Sequence, residues 1–323
     1  MNIGILGNVE NNISESYSWF CRTVYEGFTL NDHNVFGLNY KKSSIDMIRK
    51  WVLDNKIDVV FTHLTFHNHK PIDDILGLFE ELRSSDIKII HTLQDARTEP
   101  RYNGDISFAF DMAFISQYKN VEKFQKRWKV PVHYWPYSSM TYNKMGVYKK
   151  ELDFKMPVFP GNPVSHTDRR DFVRKLQNTM PIKIIYTKSP QDVRNKTLDF
   201  CASNDCILSL STRYGLNVGY SDVRPWQYGG AGGILICRPH DLQEKLIPED
   251  LYFTFNSYNN LGVEQVKKLY DKINNMTEID KTKMRENIFN FIQKYHSSRV
   301  RMKYTMEVIE EKITKIPVFL DEI

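Results

Sequence analysis

The chain alternates between short apolar, β-branched runs and longer segments with helical periodicity, and the alternation continues along most of its length. The predicted buried strands of the first half lie at 3–6, 34–38, 57–61, 87–91 and 111–115. The predicted helices between them lie at 14–28, 45–53, 71–83 and 121–128. Strands that alternate with helices at this spacing form a mostly parallel sheet with right-handed crossovers. The first half is therefore predicted to be a Rossmann-like domain.

The second half repeats the same alternation. Its predicted strands lie at 156–159, 182–186, 206–210, 234–237 and 251–255. Its predicted helices lie at 168–177, 197–202, 263–273, 281–295 and 299–313. The looser stretch from 132 to 153 is rich in Tyr, Pro and Lys and is the expected interdomain connection. We therefore expect two Rossmann-like α/β domains, 1–153 and 154–298, with a C-terminal helix in 299–323 that packs back toward the first domain.

Composition sets broad limits on this chain of 323 residues. An apolar fraction of 41% supports ordinary cores, and a formal charge of +5 permits an anionic partner without requiring one. Cys21, Cys201, Cys206 and Cys237 lack C-x-x-C spacing and lie in or beside apolar stretches, so we expect reduced core thiols. No apolar run approaches a membrane span, and the N-terminus lacks the charged region of a signal peptide. These features predict a cytoplasmic protein that does not contact membranes.

The most informative local feature is the stretch 222–233, which holds four glycines in five residues near its end. Pro225 suggests the start of a short helix, which a glycine-rich turn then joins to the strand at 234–237. The N-terminus of such a helix, with Arg224 beside it, would suit an anion. Glycines such as Gly229 and Gly230 would let a ligand approach the backbone. A plain helix-to-strand turn is the alternative.

Arg224, Trp226 and the glycines after them resemble the Arg-x-aromatic-Glu-x-x-x-x-Gly-Gly box of the spore-maturation-type branch of GT-B glycosyltransferases. In that family the box lies in the C-terminal domain and faces the sugar-nucleotide donor. Gln227 stands where the family has a Glu that commonly holds the donor ribose, and this departure leaves open a sugar-nucleotide-binding protein without catalysis. His296 and Arg299 resemble the family's C-terminal His-x-x-Arg element and are expected to be structural.

The first turn of the second domain is similar to the family's Gly-Asn and Arg-Arg entry to the donor domain. The resemblance implies that Gly161 lets the backbone approach a diphosphate and that Arg169 or Arg170 compensates its charge. A strand-to-helix loop with a solvated arginine pair is the alternative. The implied donor-binding residues are Gly161, Asn162, Arg169, Arg170, Lys188, Arg213, Arg224, Gln227, Gly229 and Gly230.

The first half supplies the expected acceptor site and catalytic base. Its first turn lacks G-x-G-x-x-G spacing, so NAD or FAD is not expected. His91 and Asp95, at the end of the fourth strand, are the catalytic candidates. Asp95 is predicted to be the general base that takes the acceptor proton, with helix capping as its alternative role. The trio His63, His67 and His69 straddles a loop and lacks a clear further ligand, so no metal is expected.

The segment 119–129 is the densest basic stretch and decides the expected acceptor. Its cations are Lys119, Lys123, Lys126, Arg127 and Lys129. Such a segment can follow phosphates while nearby aromatic residues, here Trp128 and Trp135, stack on unpaired bases. A solvated helix face with core tryptophans is the alternative.

Taken together, these residues predict a glycosyltransferase that needs no cofactor besides a nucleotide-sugar co-substrate, with a UDP-sugar as the expected donor. The predicted acceptor is a hydroxyl group, and a hydroxymethylated base in DNA is preferred. A surface glycan or glycoprotein is the alternative acceptor. The sequence selects neither the oligomeric state nor retention or inversion at the sugar.

Overall fold

A computed structural model of the chain describes residues 1–7, 16–40, 42–62, 72–93, 106–162, 167–185, 190–211, 219, 223–238 and 242–323. The chain divides into two compact units. Unit 1 comprises Met1–Pro136 and Ser298–Pro317, and unit 2 comprises Tyr137–Ser297 and Val318–Ile323. The stretch 137–153, which the sequence suggested as a connection, is thus part of unit 2.

Unit 1 is built on a parallel sheet in the order β2-β1-β3-β4-β5-β6. Its strands are β1 (Asn2–Gly7), β2 (Asn34–Asn39), β3 (Val59–Thr62), β4 (Lys88–Leu93), β5 (Met112–Ile115) and β6 (Val132–Tyr134). Its first helices are α1 (Ser16–Thr29), α2 (Ile45–Asp54), α3 (Ile72–Arg83) and α4 (Val121–Arg127). The sequence pattern does not predict β6, because this three-residue strand carries polar side chains and is defined by its pairing with β5.

Unit 2 has a second parallel sheet in the order β11-β10-β9-β7-β8. Its strands are β7 (Val158–Pro160), β8 (Lys183–Ile185), β9 (Ile207–Ser209), β10 (Leu235–Cys237) and β11 (Phe253–Thr254). Its helices are α5 (Thr167–Thr179), α6 (Pro190–Ser203), α7 (Gln243–Leu246), α8 (Asn260–Asn274) and α9 (Glu278–His296), with a π-helical turn at Pro225–Gly229. One core cluster of the unit joins alternate residues of the strands, including Phe159, Leu208 and Ile236, with Phe172 of α5 and Phe255.

The last helix, α10 (Ser298–Ile309), returns the chain to unit 1 and packs on α1. The Ser298 hydroxyl donates to the Glu26 carboxylate at 2.5 Å. A Cβ atom on Gly27 would lie 2.3 Å from the Ser298 carbonyl oxygen, so glycine permits this close approach. At the other end of α10, the Lys88 ammonium donates to the Ile309 carbonyl at 3.0 Å and caps the helix.

The two sheets share one feature of strand order. In each, the first strand lies between the second and the third: β1 between β2 and β3, and β7 between β8 and β9. The order in which successive strands are added to the sheet therefore changes from one side to the other at this first strand. In open parallel sheets, ligands bind in the crevice outside the carboxyl ends of the strands at such a position. In unit 2 this is the carboxyl edge of β7 and β9.

The sequence predicts buried, reduced cysteines and no membrane-spanning segment. The cysteines predicted to be core thiols are free and buried. Within the described ranges, no helix combines the length and apolar character needed to span a bilayer.

Candidate functional site

Arg224 is held at the carboxyl end of β7. Its Nε donates to the Pro160 carbonyl at 2.9 Å. Its ζ carbon lies 5.3 Å from the centroid of the Phe159 ring, within the range of a cation–π contact. A side chain from the glycine-rich box is thereby fixed beside the crevice that the strand order predicts.

Gly161 provides the space for this guanidinium. Its φ is +143°, a conformation that residues with a Cβ rarely adopt. A Cβ atom at this position would lie 2.6 Å from an Arg224 terminal nitrogen. The opening in the backbone that the sequence predicted for a ligand is therefore partly filled by Arg224 itself.

Arg169 brings a second guanidinium to the same strand end. Its ζ carbon lies 5.6 Å from the Phe159 ring centroid, and a terminal nitrogen donates to the Asn162 carbonyl at 2.9 Å. The residue is 5% exposed. Two guanidinium groups thus lie around one aromatic ring at the carboxyl end of β7. Guanidinium groups bind the oxygen atoms of phosphates and carboxylates through charge-assisted hydrogen bonds.

The structure separates Arg169 from its neighbour. Arg170 is exposed, and its Nε lies 3.2 Å from an Asp171 carboxylate oxygen. Of the two arginines named for the donor site, Arg169 lies in the cluster with Arg224. The further candidates Lys188 and Arg213 lie outside the described residues.

The glycine-rich box begins with a π-helical turn of five residues. So short a helix aligns few peptide dipoles, and the charge at this position comes mainly from the Arg224 side chain. Gln227 lies within the turn and is 7% exposed. Its side-chain amide makes no hydrogen bond to any residue in the part of the chain that the structure describes. That amide is thus a candidate donor and acceptor for a ligand hydroxyl.

Gly229 and Gly230 pack against protein atoms. A Cβ atom on Gly229 would lie 2.8 Å from the Ile292 side chain of α9, and one on Gly230 would lie 2.0 Å from the Ser139 hydroxyl oxygen. The Gln293 amide donates to the Gly230 carbonyl at 2.8 Å. Their lack of side chains is explained by close packing, and the structure offers no separate support for the predicted contact with a donor.

This packing predicts the effect of a small substitution. Gly230→Ala is expected to lower the unfolding free energy by about 1–3 kcal/mol, because the new methyl group overlaps Ser139. The matched control is Gly77→Ala in α3, where a Cβ meets no atom within 4 Å, so stability should be unchanged or raised. Calorimetric unfolding of both variants measures the difference. Equal melting temperatures for Gly230→Ala and the unaltered protein would contradict this packing.

His91 is a core residue of unit 1. It lies within β4 and is fully buried, with its ring 5.2 Å from Phe110 and 5.6 Å from Trp128, measured between centroids. Burial lowers the pKa of His91 to about 3, so the ring is neutral at physiological pH. These surroundings do not support its predicted catalytic role. Asp95, the predicted base, lies outside the described residues.

The basic segment 119–129 is part core and part surface. Trp128 and Trp135 are 2% and 1% exposed, which agrees with the alternative of core tryptophans and leaves neither ring available to stack on a base. Lys119, Lys123, Lys126 and Lys129 belong to the exposed residues, and Lys126 pairs with Glu122 at 2.6 Å. The exposed surface of the segment is therefore cationic, and the two tryptophan rings do not contribute to it.

The sequence offers one trio of histidines as possible metal ligands. His63, His67 and His69 lie outside the described residues. Across the part of the chain that is described, no group of three or more His, Cys, Asp or Glu side chains has the arrangement of a metal site.

Arg238 is a further cation at the carboxyl edge of the unit 2 sheet, and the sequence pattern did not single it out. It directly follows β10, and its ζ carbon lies 4.3 Å from the centroid of the Tyr258 ring. Its position after the predicted strand 234–237 was a usable signal, because ligands gather at the carboxyl ends of parallel strands.

Several solved structures resemble nearly the whole chain. Sucrose-phosphate synthase from Thermosynechococcus elongatus is 8% identical, with a TM-score of 0.59 over 96% of this chain and 98% of that one. Anabaena HepE in complex with UDP and glucose is 8% identical, with a TM-score of 0.59 over 96% of this chain and 100% of that one. T4 phage β-glucosyltransferase is 11% identical, with a TM-score of 0.58 over 97% and 99%. Another T4 phage structure of this kind contains UDP and Mn²⁺.

These similarities establish the fold. The chain is an α/β protein with two Rossmann-like units, the architecture of the GT-B glycosyltransferases. No protein-family model matches the sequence, and no curated protein matches it.

Proposed function

We propose that the chain is a glycosyltransferase of the spore-maturation-type branch, which moves a sugar from a nucleotide-sugar donor to a hydroxyl acceptor. Unit 2 binds the donor. The main support for this proposal is the position of Arg224. Its guanidinium, from the glycine-rich box, lies beside Gly161 at the carboxyl end of β7. A fixed guanidinium at this position suits a diphosphate, because charge-assisted hydrogen bonds to phosphate are strong and geometrically specific.

The proposed chemistry is displacement at the anomeric carbon of the sugar. The acceptor oxygen forms a bond to that carbon, and the bond from the carbon to the leaving diphosphate oxygen breaks. The acceptor proton passes to a general base, for which Asp95 is proposed. Negative charge then develops on the diphosphate, near the guanidinium groups of Arg224 and Arg169. The protein thus contributes positioning and electrostatic stabilisation of the leaving group.

Gln227 is proposed to hold the donor ribose in place of the carboxylate found in the family box. An amide can both donate to and accept from a pair of hydroxyl groups, whereas an ionised carboxylate can only accept. The substitution therefore changes the contact without removing it. A binder without catalysis would keep the same amide contact, so turnover has to be measured separately from binding.

A thermal-shift screen over nucleotide sugars tests the donor proposal. A ligand at about 100 times its dissociation constant should stabilise the folded protein by about 2.7 kcal/mol. We expect the largest stabilisation with a UDP-sugar, because HepE binds UDP and glucose in a structure with the same fold. If no nucleotide or nucleotide sugar raises the melting temperature, the donor proposal fails.

Metal independence is also proposed. Arg224 and Arg169 supply positive charge at the predicted diphosphate position, so transfer should persist after treatment with EDTA. The T4 phage structure with UDP and Mn²⁺ makes manganese the ion to add back. Loss of turnover in EDTA that Mn²⁺ restores would contradict the proposal and return attention to His63, His67 and His69.

For the acceptor we propose a hydroxymethylated base in DNA. The exposed lysines of the segment 119–129 support this choice, because each phosphate that they neutralise releases condensed counterions. With about three to five contacts, raising salt from about 50 to about 200 mM should weaken DNA binding roughly 40- to 500-fold. Fluorescence anisotropy with labelled duplex DNA measures this dependence.

Charge reversal locates the DNA contact. Lys123→Glu with Lys126→Glu should weaken DNA binding and spare hydrolysis of the donor. A matched control, Lys50→Glu with Lys303→Glu, makes the same change in charge at exposed positions of α2 and α10 and should leave more binding intact. Equal losses in both variants, or no DNA binding at low salt, would favour a surface glycan as the acceptor.

A further inference from the structure

Arg238 and Tyr258 form a fixed pair at the carboxyl edge of unit 2. The backbone N–H of Arg238 donates to the Ser209 carbonyl at 3.2 Å, and the Tyr258 hydroxyl donates to the Ser211 carbonyl. The guanidinium lies on the tyrosine ring, with 4.3 Å between the ζ carbon and the centroid. Both residues are thereby tied to the end of β9, and their side chains are preorganised there.

The N–H groups of the Arg238 guanidinium donate no hydrogen bond to the described part of the protein. Among the described residues, no carboxylate, carbonyl or hydroxyl oxygen accepts a hydrogen bond from the Arg238 guanidinium. Arg49, by comparison, lies 2.6 Å from Asp46 and 2.8 Å from Glu81. A guanidinium carries five N–H donors in one plane, and stacking on a ring leaves the edge of that plane open to a ligand.

The position of Arg238 relates it to the proposed donor site. In the sheet order, β9 separates β10 from β7. Neighbouring strands lie about 4.8 Å apart, so the ends of β7 and β10 are roughly 10 Å apart. A nucleoside diphosphate sugar is long enough to extend between Arg224 at the first of these ends and Arg238 at the second.

We propose that Arg238, supported by Tyr258, is a second anion-binding residue of the donor site and binds oxygen atoms of the donor diphosphate. This inference rests on the proposed function. A flat guanidinium is suited to a pair of anionic oxygens on one group, which it binds through two parallel hydrogen bonds. A carboxylate on the donor sugar has the same chemistry, and the two sources are distinguished by choice of ligand.

Calorimetry with four ligands tests the inference: UDP, UMP, UDP-glucose and UDP-glucuronate. Arg238→Ala should weaken UDP binding about 10-fold or more and weaken UMP binding less, because UMP lacks the second phosphate. The effect should be equal for UDP-glucose and UDP-glucuronate. Arg238→Lys should bind UDP with intermediate affinity, because lysine keeps the charge and loses the planar fork. Arg174→Ala, an exposed arginine of α5, is the matched control and should bind as the unaltered protein does.

The outcomes separate this inference from the proposed function. If the unaltered protein binds UDP and Arg238→Ala binds it equally well, the inference is overturned and the donor proposal stands. A lower melting temperature for Arg238→Ala with unchanged affinity overturns it in the same way, since the role is then structural. A loss confined to UDP-glucuronate would overturn the diphosphate contact and assign Arg238 to a sugar carboxylate. An unaltered protein that binds neither the four ligands nor pyrophosphate would overturn both proposals.

Discussion

Replacing Arg224 with alanine is expected to weaken binding of the nucleotide-sugar donor while leaving both units folded. The guanidinium is anchored on Pro160 and Phe159, so its position is constrained before a phosphate binds. Loss of a charge-assisted hydrogen bond costs about 1.5–3 kcal/mol, which corresponds to a roughly 10- to 150-fold higher dissociation constant. Calorimetric titration of UDP and of the preferred sugar nucleotide measures this change.

Two further variants make the Arg224 prediction specific. Arg224→Lys keeps the charge but loses the fork and the flat contact with Phe159, so it should recover part of the affinity. Arg174→Ala removes an exposed arginine from the same unit and should bind as the unaltered protein does. An affinity for nucleotide that is the same in Arg224→Ala as in the unaltered protein would remove Arg224 from the donor site.

Asp95→Asn is expected to reduce turnover by about two orders of magnitude or more, because a positioned general base contributes roughly 100- to 10,000-fold to a rate. Asparagine has nearly the same shape and cannot accept the acceptor proton. Donor affinity should stay unchanged, since donor contacts are proposed for unit 2. Initial rates of sugar transfer, measured beside calorimetric donor binding, separate the two effects.

The matched variant for this prediction is Asp111→Asn. Asp111 pairs with Arg83 at 2.9 Å in unit 1, so its loss should alter stability more than rate. Turnover that survives in Asp95→Asn would mean that another group takes the proton or that the mechanism retains configuration at the sugar.

Most of the fold could be predicted, because its elements have strong hydrophobic periodicity. In unit 2, the expected strand at 206–210 matches β9, and the expected helix at 168–177 matches α5. The exceptions have physical causes. The strand β6 is short and partly polar and depends on its pairing with β5. The helix α6 begins at Pro190, earlier than its apolar pattern indicated, although proline at a first helical position was an available signal.

The arginines of the site show how far the sequence can go. Arg169 shares a helical face with Phe172, Val173 and Leu176 of the core, so helical spacing could have distinguished it from Arg170. The contact between Arg224 and Pro160 joins residues 64 positions apart and could not be derived from local pattern. It required the sheet order that brings the two segments together.

Glycine and histidine are the residues whose roles the sequence could not resolve. Gly229 packs against α9, and a glycine that permits packing has the same sequence pattern as one that permits ligand approach. His91 lies in a strand of a parallel sheet buried on both faces, where no alternation separates core from edge. The assignments of Asp95, Lys188 and Arg213 stay predictions.

The most direct test of the central claim is a measurement of nucleoside diphosphate release from a nucleotide sugar by the full chain. The account predicts slow release without acceptor, faster release when duplex DNA with hydroxymethylated bases is added, and a lower rate for Arg224→Ala under both conditions. Faster release with a glycan, and not with DNA, would support the glycosyltransferase proposal and show that the acceptor is a glycan. Tight binding of the nucleotide sugar without any release, whichever acceptor is supplied, would contradict the claim and make the chain a sugar-nucleotide-binding protein.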